Sequence, residues 1–420
     1  MKRVLFLATT TGYQTRMFGE AAQRLGITLV FATDRCDQLD DPWWDGAIPV
    51  RFHQEATAVN AIVAAAQVAP FDGVLAVGDR PTVVGAHAAR LLDLPGHPPE
   101  GAHAARDKRL TRTALRGAGL PTPIYEVVSS NTEPHLLTSR LSFPVVVKPL
   151  VLSGSRGVIR ANTAAEFVAA FQQLQRLLQS PDVLMMQDAA ASEILIEQFI
   201  EGREYALEGV LDDGTLHTFA IFDKPDPLDG PYFEETIYVT PSRATMRDQQ
   251  AIKHAVGAAA KAIGLFHGPV HAECRVNPRG VFVLEVAARP IGGLCAQALR
   301  FVNQDGTSIG LEELLLRHAI GEPVSGWSRE EQAAGVMMIP IPAAGVYRRV
   351  DGVDAATGVP GISAVHITAK RDQQLVPLPE GASYLGFIFA RADTPDAVER
   401  ALREAHAALR FTIDRAIAVG

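Results

Sequence analysis

The sequence predicts a protein of mixed α/β and α+β class, and three observations carry that assignment. Apolar strand-like runs alternate with amphipathic helix-like runs across residues 1–105. A pair of alternating strands carrying opposed acids follows at residues 269–293, and from about Trp327 the chain turns strand-rich and closes on a helix. Three units are therefore expected: a parallel-sheet domain at 1–105, a central domain at 106–325 and a small α+β domain at 326–420.

In the first unit, strands are expected at residues 4–8, 27–33 and 73–78, and helices at 13–25, 57–69 and 83–92. Strand–helix repeats of this length imply a parallel sheet with helices on both faces. The turn after the first strand, Thr9-Thr10-Thr11-Gly12, lacks the glycine spacing of a dinucleotide fingerprint, so no nicotinamide site is expected. A ligand at the carboxyl ends of these strands, near Thr10 or Gly78-Asp79-Arg80, is consistent with the topology. The breaker cluster Leu94-Pro95-Gly96-His97-Pro98-Pro99 marks the boundary.

The central unit opens with a helix at 107–118, ended by Gly119, and continues with a buried-type strand at 143–149 that delivers Lys148. Leu152-Ser153-Gly154-Ser155-Arg156-Gly157-Val158 is not a P-loop, because the lysine precedes the glycines and no Gly-Lys-Ser/Thr follows. The next helix starts only at the capping box Thr163-Ala-Ala-Glu166. The glycines thus sit between two strands, either as an ordinary turn or as a flap whose backbone amides close over phosphates. A strand at 194–199, a turn at 200–203 and a return at 204–211 follow, with Glu197, Glu204 and Glu208 interrupting apolar runs.

Residues 217–242 read as a strand, a Pro- and Asp-rich loop, then Tyr232-Phe233-Glu234-Glu235 leading into another strand. The loop tip suits a solvated surface. Aromatic walls beside a carboxylate suit an ammonium group next to an apolar side chain.

At 270–276 and 281–286 the residues alternate with period two around Asn277-Pro278-Arg279-Gly280. A three-residue loop pairing Asn277 with Val281 places Glu273 opposite Glu285 on one face. Opposed like charges destabilise a hairpin. A Mg²⁺ ion between them reverses the sign; a solvated acidic pair beside His271 and Arg275 is the alternative. Arg289, just past the acids, offers a planar fork for a carboxylate or phosphate. Beyond the hairpin, a helix is expected at 311–320, strands at 335–340, 361–368 and 383–390, and a closing helix at 394–410.

Hydrophobic residues make up 47% and charged residues 20% of the 420, with a net charge of −8, which suits a globular protein and gives no basic footprint for nucleic acid. No apolar run reaches membrane-spanning length, and the first strand does not read as a signal peptide. Three cysteines, Cys36, Cys274 and Cys295, without metal-type spacing suit a reducing cytoplasm. Only seven of the 39 basic residues are lysines, so a lysine at a given place is informative.

With Lys108, Lys148, the Gly-Ser-Arg-Gly flap, the run from Ile196 to Tyr205 and the hairpin ending in Arg289 in that order, the chain resembles the ATP-grasp superfamily of carboxylate–amine ligases. It looks most like the L-amino-acid (dipeptide) ligase branch. The resemblance implies a pre-ATP-grasp domain, an ATP-grasp fold and a small C-terminal domain. It also implies that Lys108 and Lys148 touch the nucleotide phosphates, that Ser153, Gly154, Ser155 and Gly157 cover them, and that Glu197, Gln198, Phe199 and Ile200 read adenine. Glu204 would bind ribose, Glu273 and Glu285 the Mg²⁺ ion (or Mn²⁺), and Arg289 the acyl phosphate or substrate carboxylate. Glu235, with Tyr232, would line the amino-acid pocket, and His217 would lie near the reacting carboxylate. Where the family pattern has Glu-x-Asn-x-Arg, this chain has Glu285-Val-Ala287-Ala-Arg289, which removes a metal-binding amide.

The implied reaction is ATP-dependent joining of a small carboxylic acid or amino acid to an amino acid through an acyl phosphate, releasing ADP and phosphate. Bicarbonate activation and a silent nucleotide-binding regulator are the rival readings. Partners are expected to be small molecules, with a homodimer as the candidate assembly.

Overall fold

The N-terminal alternation forms a fully parallel sheet in the order Ile48–Pro49, Thr28–Thr33, Arg3–Leu7, Gly73–Ala76, flanked by helices Gln14–Leu25, Glu55–Val68 and Thr82–Leu91. The computed structural model describes residues 1–9, 14–34 and 46–415; Thr10, Thr11, Gly12 and Cys36 lie outside the described residues. Val4, Leu5, Phe6 and Leu7 are fully buried, as a strand covered on both faces requires.

A helix not expected from the sequence, Pro99–Arg106, begins at the last residue of the breaker cluster. Its proline stands in the first turn, where a helix has no N–H bond to lose, so the cluster starts a helix instead of merely ending a domain. The adjoining helix Lys108–Gly117 is capped by the Asp107 carboxylate, which accepts from the Arg109 and Leu110 amides.

Next comes an antiparallel sheet in the order Tyr125–Ser129, Glu193–Gln198, Val145–Pro149, Ile159–Ala161, covered by the helix Ala164–Leu178. Thr163 caps that helix by accepting from the Glu166 amide at 3.2 Å, and Phe167, Phe171 and Leu174 are buried in its core against the sheet.

The largest sheet has eight strands, in the order Gly280–Ala287, Gly268–Asn277, Arg203–Asp212, Thr215–Asp223, Ile237–Thr240, Ala333–Ile339, Gly386–Ala392, Ile362–Ile367. Its last three strands come from beyond residue 325, and Ile237–Thr240 pairs directly with Ala333–Ile339. The boundary expected at 325/326 therefore falls inside one continuous sheet, a pairing that no local signal announces. The helix Met246–Ile263 packs on one half, and Pro395–Ala408 packs on the other. Among the described residues no helix is long and apolar enough to cross a membrane.

Glu273 does lie opposite Glu285, but by a different route from the one expected. Asn277 pairs with Gly280 across a two-residue turn, and the extra residue is absorbed by a bulge at Leu284, between the Cys274–Val283 and Glu273–Glu285 pairs. The extra residue expected in a three-residue loop thus lies inside the strand, which leaves the acid pair unchanged.

Candidate active site

One cleft of about 490 Å³ opens between the three units. Among the residues expected in a site, Lys108, Lys148, Ser153, Gly154, Ser155, Glu197, Gln198, Phe199, Ile200, Glu204, Glu235, Glu273, Glu285 and Arg289 line it. Asp79 enters from the carboxyl end of the first parallel sheet, and Tyr384 and Phe387 enter from the C-terminal segment. The size and the mix of apolar walls with convergent polar groups are those of a small-molecule site.

Three expected residues stand elsewhere. His217 lies six residues before Asp223 on its strand, about 20 Å from the end that reaches the cleft, so it cannot sit by a reacting carboxylate there. The strand was recognised, but its direction relative to the cleft was not. Tyr232 is exposed and bridges to Ile159, leaving Phe233 to line the wall. Gly157 turns away from the cleft: its amide donates to the Pro379 carbonyl at 2.8 Å, and a Cβ there would meet Leu174 at 2.9 Å. Its φ of +75° and that close approach explain the glycine without any phosphate.

The loop from Ser153 to Gly157 is tied to the C-terminal segment. Arg156 donates to the Glu380 carbonyl at 2.7 Å and pairs with Asp182 at 2.6 Å.

The carboxylates of the cleft wall are backed by a lysine that sequence reasoning missed. Lys224 is buried and donates to Glu204 at 2.9 Å, Glu235 at 2.5 Å and Glu273 at 2.9 Å. Burial alone would lower its pKa, but the three carboxylates outweigh it and hold the ammonium well above the usual lysine range. The proton deficit falls unevenly on the acids. Burial and the Glu273 charge push Glu235 up to about 7, while Lys224 and His271 overcome burial and hold Glu273 well below the ordinary carboxylate range. Tyr238 donates to Glu235 at 2.9 Å and completes the cluster. The scarcity of lysine was the signal that could have found Lys224, but its Pro- and Asp-rich surroundings read as surface.

Both oxygens of Glu204 already accept, one from Lys224 and the other from Arg275, each at 2.9 Å, so a ribose hydroxyl would share an oxygen with one of these cations. Arg275 also donates to the Ile200 carbonyl at 2.8 Å and lies over the Phe199 ring at 4.8 Å, stiffening the stretch expected to read adenine. The amides of Gln198 and Phe199 already donate to Ile124 and Pro144 carbonyls at 2.8 and 3.1 Å. Base reading therefore does not rest on those two groups.

Glu197 is likewise committed. It accepts from Arg112 at 2.8 and 3.2 Å and pairs with Lys148, all three groups buried. Burial would raise the Glu197 carboxyl, but Arg112 and Lys148 hold it at about 2. Its side chain positions Lys148 and does not reach out to a base.

Arg289 is held by Asp79 through Nε at 2.6 Å and Nη2 at 3.3 Å, a bidentate pair across the junction of the first and second units. His271, which lines the cleft, pairs with the buried Glu208 at 2.9 Å, and Glu208 in turn accepts from the Ile291 amide at 3.1 Å. Burial would lower His271, but Glu208 and Glu273 raise it to about 9, so it adds a cation beside Glu273 at neutral pH.

The donor set fits a hard divalent cation. Glu273 and Glu285 offer carboxylate oxygens from paired positions, and both keep part of their surface open. Lys108 stands 3.7 Å from Glu285 and donates to the Leu152 carbonyl at 2.9 Å, so each acid of the pair has a lysine beside it.

Comparison with known proteins gives a consistent picture along the chain. Residues 19–96 match an ATP-grasp N-terminal domain, 141–298 an ATP-grasp domain and 337–414 an L-amino acid ligase C-terminal domain 2. The crystal structure of an L-amino acid ligase from Bacillus licheniformis superimposes with a TM-score of 0.82 at 27% identity, covering 99% of both chains. An uncharacterized protein of Sinorhizobium fredii is 26% identical over 77% of this chain and 64% of its own length. A D-alanine–D-alanine ligase of Marinomonas is 28% identical over 52% of this chain and 69% of its own. The match thus spans about two thirds of the length of these two relatives.

Proposed function

Because the chain belongs to the ATP-grasp superfamily, in the branch of the L-amino-acid ligases, we propose that it joins a carboxylic acid or amino acid to an amino acid. ATP is cleaved to ADP and phosphate, and an acyl phosphate is the activated intermediate. The observation that carries this reading is that one cleft holds both kinds of charge such a reaction needs. Lys108, Lys148 and Arg289 supply cations for phosphates and a carboxylate, and Glu235, Glu273 and Glu285 supply carboxylates for an ammonium group and a metal ion.

In this reading the substrate carboxylate oxygen attacks the γ-phosphorus, and the bond to the β-phosphate oxygen breaks as ADP leaves. The amine then attacks the acyl carbon, sheds a proton and displaces phosphate. Lys108 and Lys148 offset the phosphate charge, and Arg289, oriented by Asp79, stabilises the oxyanion on the acyl carbon. Glu273 and Glu285 would hold a Mg²⁺ ion, with Mn²⁺ as the alternative, which supplies further charge neutralisation when bound. No side chain needs to act as a covalent nucleophile. A cytoplasmic, small-molecule enzyme acting as a homodimer belongs to the same reading.

Phosphate release measured over pairs of amino acids and small acids tests it. Release that needs both members of one pair, with stoichiometric ADP and an amide product, is the expected result. Release that needs bicarbonate and no amino acid would overturn it.

Glu235 is assigned to the substrate α-amino group. Replacing it with Gln should raise the amino-acid KM by roughly 10- to 100-fold while sparing ATP, the scale of one charged hydrogen bond. In the native protein kcat/KM for the amino acid should fall as pH drops through about 7, where Glu235 takes up its proton. That inflection should be missing in Glu235→Gln, and unchanged amino-acid kinetics in the variant would remove Glu235 from the pocket.

A further inference from the structure

Residues 376–383 run from the strand Gln374–Leu375 toward the strand Gly386–Ala392 without a helix or strand of their own. Both ends of this segment are fixed in the C-terminal unit: Leu375 pairs with Gly345, and the Leu385 amide donates to the Ile339 carbonyl at 2.9 Å. Its middle reaches the other way. Among the described residues, the hydrogen bonds that 376–383 make outside the segment all go to the lobe built on the strands Val145–Pro149 and Ile159–Ala161. Gly157 donates to the Pro379 carbonyl at 2.8 Å, Arg156 to the Glu380 carbonyl at 2.7 Å, and Gln173, on the covering helix, to the Glu380 carboxylate at 2.7 Å. A Cβ at Gly154 would stand 3.5 Å from that of Ala382, so the segment also touches the tip of the flap.

That lobe has a core of its own, in which Phe167, Phe171 and Leu174 pack with Val145, Val147 and Ile196. It shares no sheet with the C-terminal unit, so the segment is a strap between two separately packed bodies. The strap ends by delivering Tyr384 to the cleft. The Tyr384 ring meets Phe387 edge-on, with centroids 6.0 Å apart at 62°, and Phe387 in turn lies so close to Gly293 that a Cβ there would meet its ring at 3.1 Å. The ring is therefore backed from the sheet side and tethered from the flap side.

Among the described residues the Tyr384 hydroxyl has no partner, whereas that of Tyr238 donates to Glu235 at 2.9 Å. Burial holds the Tyr384 phenol well above the usual tyrosine range and the Glu235 charge adds to it, so the group stays an O–H donor in the field of that carboxylate. A tyrosine hydroxyl placed in a cleft with no protein partner is available to a ligand. An amino acid whose ammonium group sits on Glu235 brings an α-carboxylate with it, and that carboxylate needs a donor. Lys224 is committed to three protein carboxylates, and Arg289 is assigned to the reacting acid. Tyr384 supplies a free O–H.

Given the ligase reading above, we propose that Tyr384 binds the α-carboxylate of the amino acid held by Glu235, and that the flap sets its position through the strap. Closing the flap over a nucleotide draws the strap in through Arg156 and Gly157, so the amino-acid pocket is complete only with the nucleotide in place. By linkage, the amino acid tightens nucleotide binding by the factor that the nucleotide tightens its own.

Hydrogen exchange of the full-length protein with Mg²⁺ and the non-hydrolysable ATP analogue AMPPNP tests the strap without any amino acid. Amides of 376–385 should gain protection together with those of 153–158, and Arg156→Ala should reduce the gain in the strap while the analogue still binds. ADP formation against an equimolar mixture of the common L-amino acids tests Tyr384. Tyr384→Phe keeps the ring packing and should raise the half-saturating mixture concentration about tenfold, the scale of one hydrogen bond to a charged group, while sparing the KM for ATP and the protection of the strap. Protection of 153–158 without 376–385, or unchanged amino-acid saturation in Tyr384→Phe, overturns the proposal. ADP formation by the native protein that ignores amino acids overturns the ligase reading and the role of Tyr384 with it, an outcome told apart by a strap that the analogue still protects.

Discussion

Glu273→Gln is expected to lower Mg²⁺-dependent ADP formation by about 100-fold or more, the scale of losing one preorganised electrostatic group from a reacting centre. Gln keeps the shape of the side chain and can still accept from Lys224, so the cluster of Lys224 with Glu204 and Glu235 should hold together. The cost is then catalytic and not structural. Native Glu273 is held well below the ordinary carboxylate range by Lys224 and His271 and is ionised throughout the working pH range, so its contribution should not vary with pH. Glu285→Gln should act in the same direction. Circular dichroism and melting would register an intact fold, and higher Mg²⁺ would recover part of the rate if the lost charge weakened ion binding. ADP formation at the native level in either variant would sink the assignment of the pair.

The acid pair was legible in the sequence because strand alternation forces every second residue to one face, and a register error of one at the turn was cancelled by a bulge at Leu284. Lys148 and Glu197 were legible for a similar local reason, as polar breaks in apolar runs. Lys224 and Arg112 were not. Both owe their importance to acids distant in sequence: Lys224 to Glu204 and Glu273, and Arg112 to Glu197 across 85 positions. No periodicity carries that information. His217 shows the converse limit. Its strand was recognised, but which end faces the cleft depends on how the eight-stranded sheet is ordered, and that order draws on strands from beyond residue 325. His271, on a strand whose position was recognised, took the cleft position instead.

Glu197→Gln should be the most destabilising single change near the cleft, by about 3–5 kcal/mol, because it strands the buried charges of Arg112 and Lys148. Arg112 is fully buried and one of its guanidinium nitrogens already lacks a partner, so no other group stands ready to take the charge. The acid end of the pH–stability curve checks the mechanism. Glu197 is depressed from an ordinary value of 4.5 to about 2, so the folded state holds fewer protons than the unfolded state between those values. Its stabilisation is therefore complete above pH 4.5 and is lost as pH falls toward 2. In Glu197→Gln that segment of the curve should flatten, while stability at neutral pH drops. ATP should also bind more weakly, since Lys148 loses the acid that aims it at the cleft. Urea unfolding of both proteins from pH 7 down to the acid limit measures all of this except the ATP affinity, which a nucleotide titration supplies. A variant within about 0.5 kcal/mol of the native protein at neutral pH, the range of an ordinary surface change, would mean that Arg112 and Lys148 find other partners.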